Sequence, residues 1–365
     1  PFCRKACHYC DFHFSTQLKG KSAMVDSIRA EMDIRSEEVP AEIGTLYFGG
    51  GTPSILEEPQ INTLIDPFRN RLLPKAEITL EVNPEDISAA NLNGWHRAGI
   101  NRLSIGIQSF NDTFLSSVNR NHDSALALEK LALVQQGPIP NFSLDLMFGK
   151  PVESTSSLQE EIDQLISFKP THLSIYCLTI EEKTALHKLW KDGQFSALAD
   201  EKKNAHYAFI ISYLAQHGFH QYEISNFAQP GFESQHNGNY WRNIPFLGFG
   251  PGAHGYNGHH LRYWNVRNNA QYIKQINEKV LPQELEHLTP ENQWNEMVMV
   301  RLRTVGGLNI HDLKTPDGTP FLSAFDLELK KGLQKKWIHL KHNQLTLTTE
   351  GKLLADYIAS EFFVE

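Results

Sequence analysis

The feature that most constrains the fold is an alternation of strand-length apolar runs with helical stretches. Residues 45–48, 77–82, 102–107, 142–147 and 172–177 read as strands. Helices are expected near 57–72, 87–98, through 135, 156–168, 181–190 and 200–217. Continuous apolar strands separated by helices specify a parallel sheet with both faces covered, because parallel neighbours need crossovers and the crossover helices pack onto the sheet. Sheets of this kind carry ligand residues at the carboxyl ends of their strands. The pattern therefore specifies an α/β fold built on a parallel sheet.

The pattern changes after residue 218. Residues 219–263 are rich in Gly, Asn, His and aromatics, as in Ser225-Asn226-Phe227, His236-Asn237-Gly238-Asn239-Tyr240-Trp241 and Gly248-Phe249-Gly250-Pro251-Gly252. A loop-rich segment of that composition more often carries function than core. From Ala270 the pattern is helical again, with amphipathic helices expected at 294–304, 321–331 and 351–361. A small hairpin at 337–340 and 345–347 turns around Asn343. The expected organisation is a partial barrel at 1–218, a loop-rich site segment at 219–268, and a mainly helical, winged-helix-like domain at 269–365.

Composition excludes several classes. The chain has 365 residues, 41% hydrophobic and 21% charged, the balance of a globular protein. A net charge of −8 argues against a protein that coats nucleic acid, and Lys330, Lys331, Lys335 and Lys336 read as a solvated face. No apolar run is long enough to span a bilayer and no signal peptide is seen. Of the four cysteines, Cys3, Cys7 and Cys10 are crowded together, which is not the plan of a secreted disulfide framework. A reducing, cytoplasmic setting is expected.

Those three cysteines form a C-x3-C-x2-C run. Four-iron clusters usually take four protein thiolates. Three would leave one iron open for a bound molecule. A zinc site would need a fourth ligand, which His8 or His13 could supply. Reduced bystander thiols are the third alternative. The run Gly49-Gly50-Gly51-Thr52-Pro53 follows a strand, where glycines let backbone approach a ligand, or simply make a tight turn before a helix started by Pro53. Glu81, Asn83, Gln108, Arg120, His122 and Asp145 sit at or near later strand ends. A charge in an apolar strand is costly unless it is paired or faces a site. Several on successive strands favour a shared ligand over separate satisfied core groups.

C-x3-C-x2-C with a following G-G-G-T-P, then E-V-N-P, G-I-Q-S-F, N-R-x-H and D-L-M-F-G in that order, resembles the radical S-adenosylmethionine (SAM) superfamily. Within it the series is similar to the branch of oxygen-independent coproporphyrinogen III oxidases and HemW-type haem chaperones. The likeness runs from Cys3 to about Tyr256 and continues weakly into the C-terminal part, and it implies a sixth strand ahead of Pro1 and hence an incomplete (β/α)6 radical-SAM-type barrel. It implies that Cys3, Cys7 and Cys10 hold a [4Fe-4S] cluster whose fourth iron chelates SAM. Reductive cleavage of a carbon–sulfur bond would then release a 5′-deoxyadenosyl radical, with the protein positioning and shielding the chemistry. The resemblance assigns Gly50, Gly51 and Thr52 to the methionine end of SAM and Glu81, Gln108, Arg120 and Asp145 to its other polar groups. Tyr9 would flank the adenine, and Cys177 with its neighbours would line the adenine pocket. The family's aromatic residue on a strand ahead of the first cysteine is not in this sequence.

Two features separate the branches. The oxidase pattern has a further cysteine two residues after the third ligand, and here that position is Phe12. The oxidase also has an N-terminal segment that helps enclose its substrate, and nothing precedes Pro1 in this sequence. Both favour the chaperone. The chaperone motif H-N-x-x-Y-W is intact, and an imidazole with neighbouring aromatics suits haem iron and its macrocycle. His236, Asn237, Tyr240 and Trp241 are thus the expected haem-binding residues, with His254, His259 and His260 as lesser candidates. The bland alternative is a loop histidine beside two packing aromatics. The resemblance implies a haem chaperone that delivers haem to client proteins, with membrane contact among the delivery routes, an electron donor to the cluster, and no nucleic acid. A homodimer stays open, and the enzyme alternative is a coproporphyrinogen III dehydrogenase.

Overall fold

The computed structural model describes every residue from Pro1 to Glu365. Strands β1 (Ile43–Phe48), β2 (Leu72–Val82), β3 (Arg102–Gln108), β4 (Phe142–Phe148) and β5 (His172–Cys177) lie side by side in chain order, all parallel. Two short strands, β6 (His220–Gln221) and β7 (Asn226–Ala228), extend the sheet past β5 in the order β1-β2-β3-β4-β5-β7-β6. Both added pairings, β5 with β7 and β7 with β6, are antiparallel. The result is a curled half-barrel of mostly parallel strands. Its extra strands come from the segment after residue 218, which was expected to be loop.

Strand periodicity divides the sheet into two unlike faces. Ile78, Leu80, Leu103, Ile105, Leu144, Leu146, Leu173 and Ile175 point outward into one core of 31 buried residues, shared with Trp95, Leu131, Leu158, Leu165 and Ile210 from the covering helices. The alternate residues are Tyr47, Glu77, Thr79, Glu81, Arg102, Ser104, Ser143, Asp145, His172 and Ser174, and they form the concave face. This corrects the expectation of apolar strands covered on both faces. Only alternate positions are apolar, and the polar set is tolerated because it surrounds a cavity and bonds internally.

Further short elements lie in the segment expected to be irregular and, at Gln283–His287, in the region expected to be helical. A helix spans Gln235–Trp241, and β8 (His254–Tyr256), β9 (Leu261–Asn265) and β10 (Gln283–His287) form an antiparallel sheet in the order β10-β9-β8. A buried pair ties it to the helix Lys21–Ile34. Glu31 accepts bonds from the Gly250 amide (2.8 Å), Asn265 Nδ2 (2.8 Å) and Tyr272 OH (2.5 Å). The Arg35 guanidinium donates to the Gly248 carbonyl at 3.1 Å and lies 4.3 Å from the Tyr263 ring centroid. Both charges are fully satisfied, which is the condition for burying them.

The C-terminal region has its own core of 15 buried residues. Strands β11 (Leu308–Asn309), β12 (Ile338–Lys341) and β13 (Gln344–Leu347) pair in the order β11-β13-β12 beside the helix Pro290–Leu302. The hairpin turns through His342 (φ 50°) and Asn343 (φ 62°), the positive-φ pair that a two-residue type I′ loop needs. The helix expected at 321–331 breaks at Phe325 and resumes as Asp326–Gln334. The one expected at 351–361 is interrupted into Thr349–Lys352 and Ala355–Ser360. Trp294, Phe321, Phe325 and Phe362 meet with ring centroids 5.0–6.1 Å apart. No helix is long and apolar enough to cross a membrane.

Phe321 is fully buried among the other three rings. Phe321→Ala is expected to cost about 3–5 kcal/mol of stability. Urea titration followed by tryptophan fluorescence measures it, and an unchanged midpoint contradicts this account of the core.

Candidate functional site

The cysteine loop is fastened before any ligand is considered. Phe2 bridges Ser15, the Cys3 amide donates to the Ser15 carbonyl at 3.0 Å, and the Thr52 amide donates to the Phe2 carbonyl at 2.7 Å. Further along, the His8 amide bonds the Val118 carbonyl at 3.0 Å and the His8 carbonyl accepts from Leu186 at 2.7 Å. Gly51 is required here, because a Cβ on it would stand 2.8 Å from both the amide nitrogen and the carbonyl oxygen of Phe2. Asp86 accepts from Arg4 Nε and Ser54 Oγ, each at 2.7 Å, and braces the same loop against the end of β2.

Two of the sulfurs are joined through side chains. Thr52 Oγ1 donates to Cys3 Sγ at 3.4 Å and accepts from Asn83 Nδ2 at 3.1 Å. Arg120 Nη2 donates to Asn83 Oδ1 (3.0 Å) and to the Gly106 carbonyl (2.6 Å). Its Nη1 reaches Cys7 Sγ (3.5 Å) and Tyr9 OH (3.3 Å). Arg120 Nε is buried without a partner. Cys3, Cys7 and Cys10 are free and half-buried. Burial raises the Cys3 thiol above its ordinary range and pushes Cys10 up to about 11. No group of three or more Cys, His, Asp or Glu side chains is arranged to hold a metal ion in this structure. The donor set still suits an iron–sulfur centre: three free thiols in one pinned loop, with a guanidinium and a hydroxyl turned toward two of them.

Beside this loop lies the glycine lip. Gly50 (φ 105°) donates its amide to Glu81 Oε2 at 3.1 Å, and Tyr47 OH donates to Glu81 Oε1 at 2.8 Å. Glu81 and Asp145 face a cavity of about 370 Å³ inside the half-barrel, with Tyr47, Arg102, Ser104 and Tyr176 on its wall. Burial, with Asp145 adding to it, pushes the Glu81 carboxyl up to about 7. Burial likewise raises Asp145 to about 6, opposed by the Arg102 charge and by serine hydroxyls. Ser104 Oγ lies 3.3 Å from Asp145 Oδ1. Gln108, at φ 67° on the end of β3, accepts a hydrogen bond from Tyr176 OH. Arg102 is buried and its Nε has no hydrogen-bond partner.

The helix Gln235–Trp241 covers the side of the cavity next to β1. Its first amides, Gln235 and His236, both donate to the buried Glu77 carboxylate at 3.0 Å, which seats a negative charge at the helix start. His236 Nδ1 lies 2.8 Å from Thr45 Oγ1 and Nε2 lies 2.9 Å from Tyr240 OH. Its ring stacks on Tyr47, with centroids 4.8 Å apart and planes 20° apart. Burial lowers the His236 pKa to about 4, so at neutral pH the imidazole is uncharged and able to bind a metal. Asn237 and Trp241 reach the cavity wall, and Trp241 Nε1 is buried without a partner. Tyr240 is 41% exposed.

The structure thus gathers Glu81, Asp145, Asn237 and Trp241 around one cavity. Cys3, Cys7, Tyr9, Thr52 and Arg120 form the network at its edge, with Gly50 and Gly51 between, and Gln108 joins through Tyr176. Cys177 is not gathered. Strand alternation turns it to the outer face, against the helix-covered core, with Sγ near Gly149. His254, His259 and His260 belong to the β8–β9 hairpin and none lines the cavity. Sequence reasoning overlooks Tyr47, Glu77, Arg102 and Arg303, while Tyr176, a neighbour of Cys177, does line the cavity. Reading the strands at period two would have found the first three. Arg303 enters the wall from the C-terminal region and has no sequence signal.

Two outcomes follow from this geometry. Glu81 has a folded-state pKa raised above its unfolded value, so its stabilising contribution is present at acid pH and is lost as pH rises through about 7. Glu81→Gln is expected to raise the melting temperature at pH 8, relieving a cost on the order of 3 kcal/mol, and to have little effect at pH 4.5. Equal effects at both pH values contradict the assignment. Gly51→Ala is expected to push Phe2 and the cysteine loop away. Iron bound after anaerobic reconstitution should then drop severalfold with the fold retained by circular dichroism, and undiminished iron contradicts the close-approach argument.

Comparison with known proteins bears on both regions. Residues 1–165 match the radical SAM superfamily and residues 288–354 match the HemN C-terminal domain. The chain is 35% identical to the heme chaperone HemW of Bacillus subtilis over 371 aligned residues, covering 100% of this chain and 98% of that protein. It is 38% identical to the heme chaperone HemW of Escherichia coli over 264 residues, 70% of this chain and 68% of that one. Among solved structures, coproporphyrinogen III oxidase (HemN) from Escherichia coli, a radical SAM enzyme, superposes with a TM-score of 0.84 at 23% identity, over 100% of this chain and 88% of that one. That last likeness establishes the fold, whereas the full-length identity establishes descent: the chain belongs to the HemW family of the radical SAM superfamily.

Proposed function

We propose that this protein is a haem chaperone that binds haem at the Gln235–Trp241 helix and hands it to client proteins, while keeping the cluster and SAM sites of its superfamily. The observation that carries this reading is the full-length likeness to heme chaperones, joined to an intact H-N-x-x-Y-W helix. His236 is the axial ligand in this account. It is neutral at physiological pH, and its Nε2 is hydrogen-bonded to the hydroxyl of Tyr240, which is itself partly exposed. Asn237, Tyr240 and Trp241 complete the haem contact.

Cys3, Cys7 and Cys10 would hold the [4Fe-4S] cluster, which when bound supplies the electron for cleaving a carbon–sulfur bond of SAM. Gly50, Gly51, Thr52, Glu81, Gln108, Arg120 and Asp145 bind SAM in this account, with Tyr9 at its adenine. Cys177 reaches that ligand only through a change of side. Arg120 and Thr52 orient the sulfurs, and the backbone contacts of Phe2 and His8 hold the loop that carries them. We assign residues 1–218 to the barrel, 219–268 to the haem segment and 269–365 to contacts with clients. A cytoplasmic setting, an electron donor and membrane-side clients belong to the same proposal.

The second reading, a coproporphyrinogen III dehydrogenase, is favoured only by the shared fold with the oxidase. Phe12 stands where that enzyme's pattern has a cysteine, and its side chain is 69% exposed. Anaerobic reconstitution with iron and sulfide, then haem and coproporphyrinogen III in parallel, separates the two. The expected result is haem bound with a Soret band that His236→Ala shifts or weakens at least tenfold in affinity, and no protoporphyrinogen IX. Sustained turnover, or an unchanged spectrum in His236→Ala, overturns the reading.

A further inference from the structure

His236 and Glu81 stand on either side of one residue. The Tyr47 ring stacks on the His236 imidazole at 4.8 Å, and the Tyr47 hydroxyl donates to Glu81 Oε1 at 2.8 Å. The other carboxylate oxygen accepts the Gly50 amide at 3.1 Å. The middle of this chain has little room to relax. A Cβ on Gly49 would meet the Tyr47 ring at 2.7 Å and Glu81 Oε1 at 2.8 Å, so backbone, ring and carboxylate are already in close contact. At the far end, both imidazole nitrogens are held, by Thr45 at 2.8 Å and by Tyr240 at 2.9 Å.

We propose that Tyr47 is a positioning residue that couples the two ends of the site, so that SAM at the Gly50–Glu81 lip changes haem affinity at His236. The proposal rests on the reading that His236 takes haem and Glu81 faces SAM. A ligand group that bonds the Gly50 amide or the Glu81 carboxylate competes with, or redirects, the bond from Tyr47. The aromatic ring is a rigid plane, so a shift at its hydroxyl is carried to the face on which the imidazole lies. Linkage makes the effect reciprocal: haem changes SAM affinity by the same factor.

The test titrates haem by its Soret band into the cluster-reconstituted full chain, with and without saturating SAM, in the wild type and in Tyr47→Phe. Phenylalanine keeps the stacked ring and removes the hydroxyl. The quantity read is the ratio of haem Kd without and with SAM, which is insensitive to any change in basal affinity. In the wild type the ratio is expected to differ from 1 by about fivefold or more, in either direction, the scale of ordinary allosteric coupling. In Tyr47→Phe it is expected to fall within twofold of 1. SAM titrations with and without haem should give the same factor. An equal ratio in the two proteins, or a wild-type ratio of 1 while both ligands bind, overturns the coupling and leaves the chaperone reading standing. Haem binding that ignores His236→Ala overturns the chaperone reading, and the coupling with it.

Discussion

The whole arrangement depends on the obligatory alternation of side chains along five parallel strands. One face, with Leu80, Ile105, Leu144 and Ile175, needs a covering of helices and receives it. The other, with Glu81, Arg102, Asp145 and Ser174, cannot be packed as an apolar core. A flat sheet would leave that face open. Curled into a half-barrel, it becomes a cavity whose charges and hydroxyls answer one another. The fold and the site are two consequences of one periodicity, and the orphaned buried nitrogens of Arg102 and Trp241 mark where the internal pairing stops.

A half-barrel has edges, and each is closed by a specific contact. At the β1 edge, Glu77 receives the first amides of the Gln235–Trp241 helix, Thr45 holds one imidazole nitrogen, and Tyr47 supplies a stacking face. Beyond β5, antiparallel β7 and β6 continue the sheet. At the carboxyl ends of the strands, the cysteine loop is fixed by Thr52, Asn83 and Arg120. The covering helix is short, so its placement comes from these tertiary bonds rather than from intrinsic helix stability.

Much of this was legible in the chain. The five strands were identifiable because each outward face is uniformly apolar, Glu81 and Asp145 because a charge in an apolar strand is costly without a purpose, and Arg120 through the N-R-x-H motif. The Asn343 turn was identifiable from its residue type. The inner face was harder, since Tyr47 and Arg102 look like ordinary strand residues until alternate positions are read together. Cys177 shows the same effect: its side chain packs on the outer core while its neighbour Tyr176 lines the cavity. The short elements after residue 218 escaped notice because strands of two to five residues and a two-turn helix carry little periodic signal. Arg303 reaches the cavity through tertiary contact alone.

The central claim is that a radical-type barrel has become a carrier whose cargo is haem. Its most direct measurement is transfer itself: haem-loaded protein mixed with a haem-free client, followed by the shift of the Soret band. The account predicts transfer faster than release of haem to a non-client scavenger, and dependent on His236. Transfer no faster than release to the scavenger would contradict it.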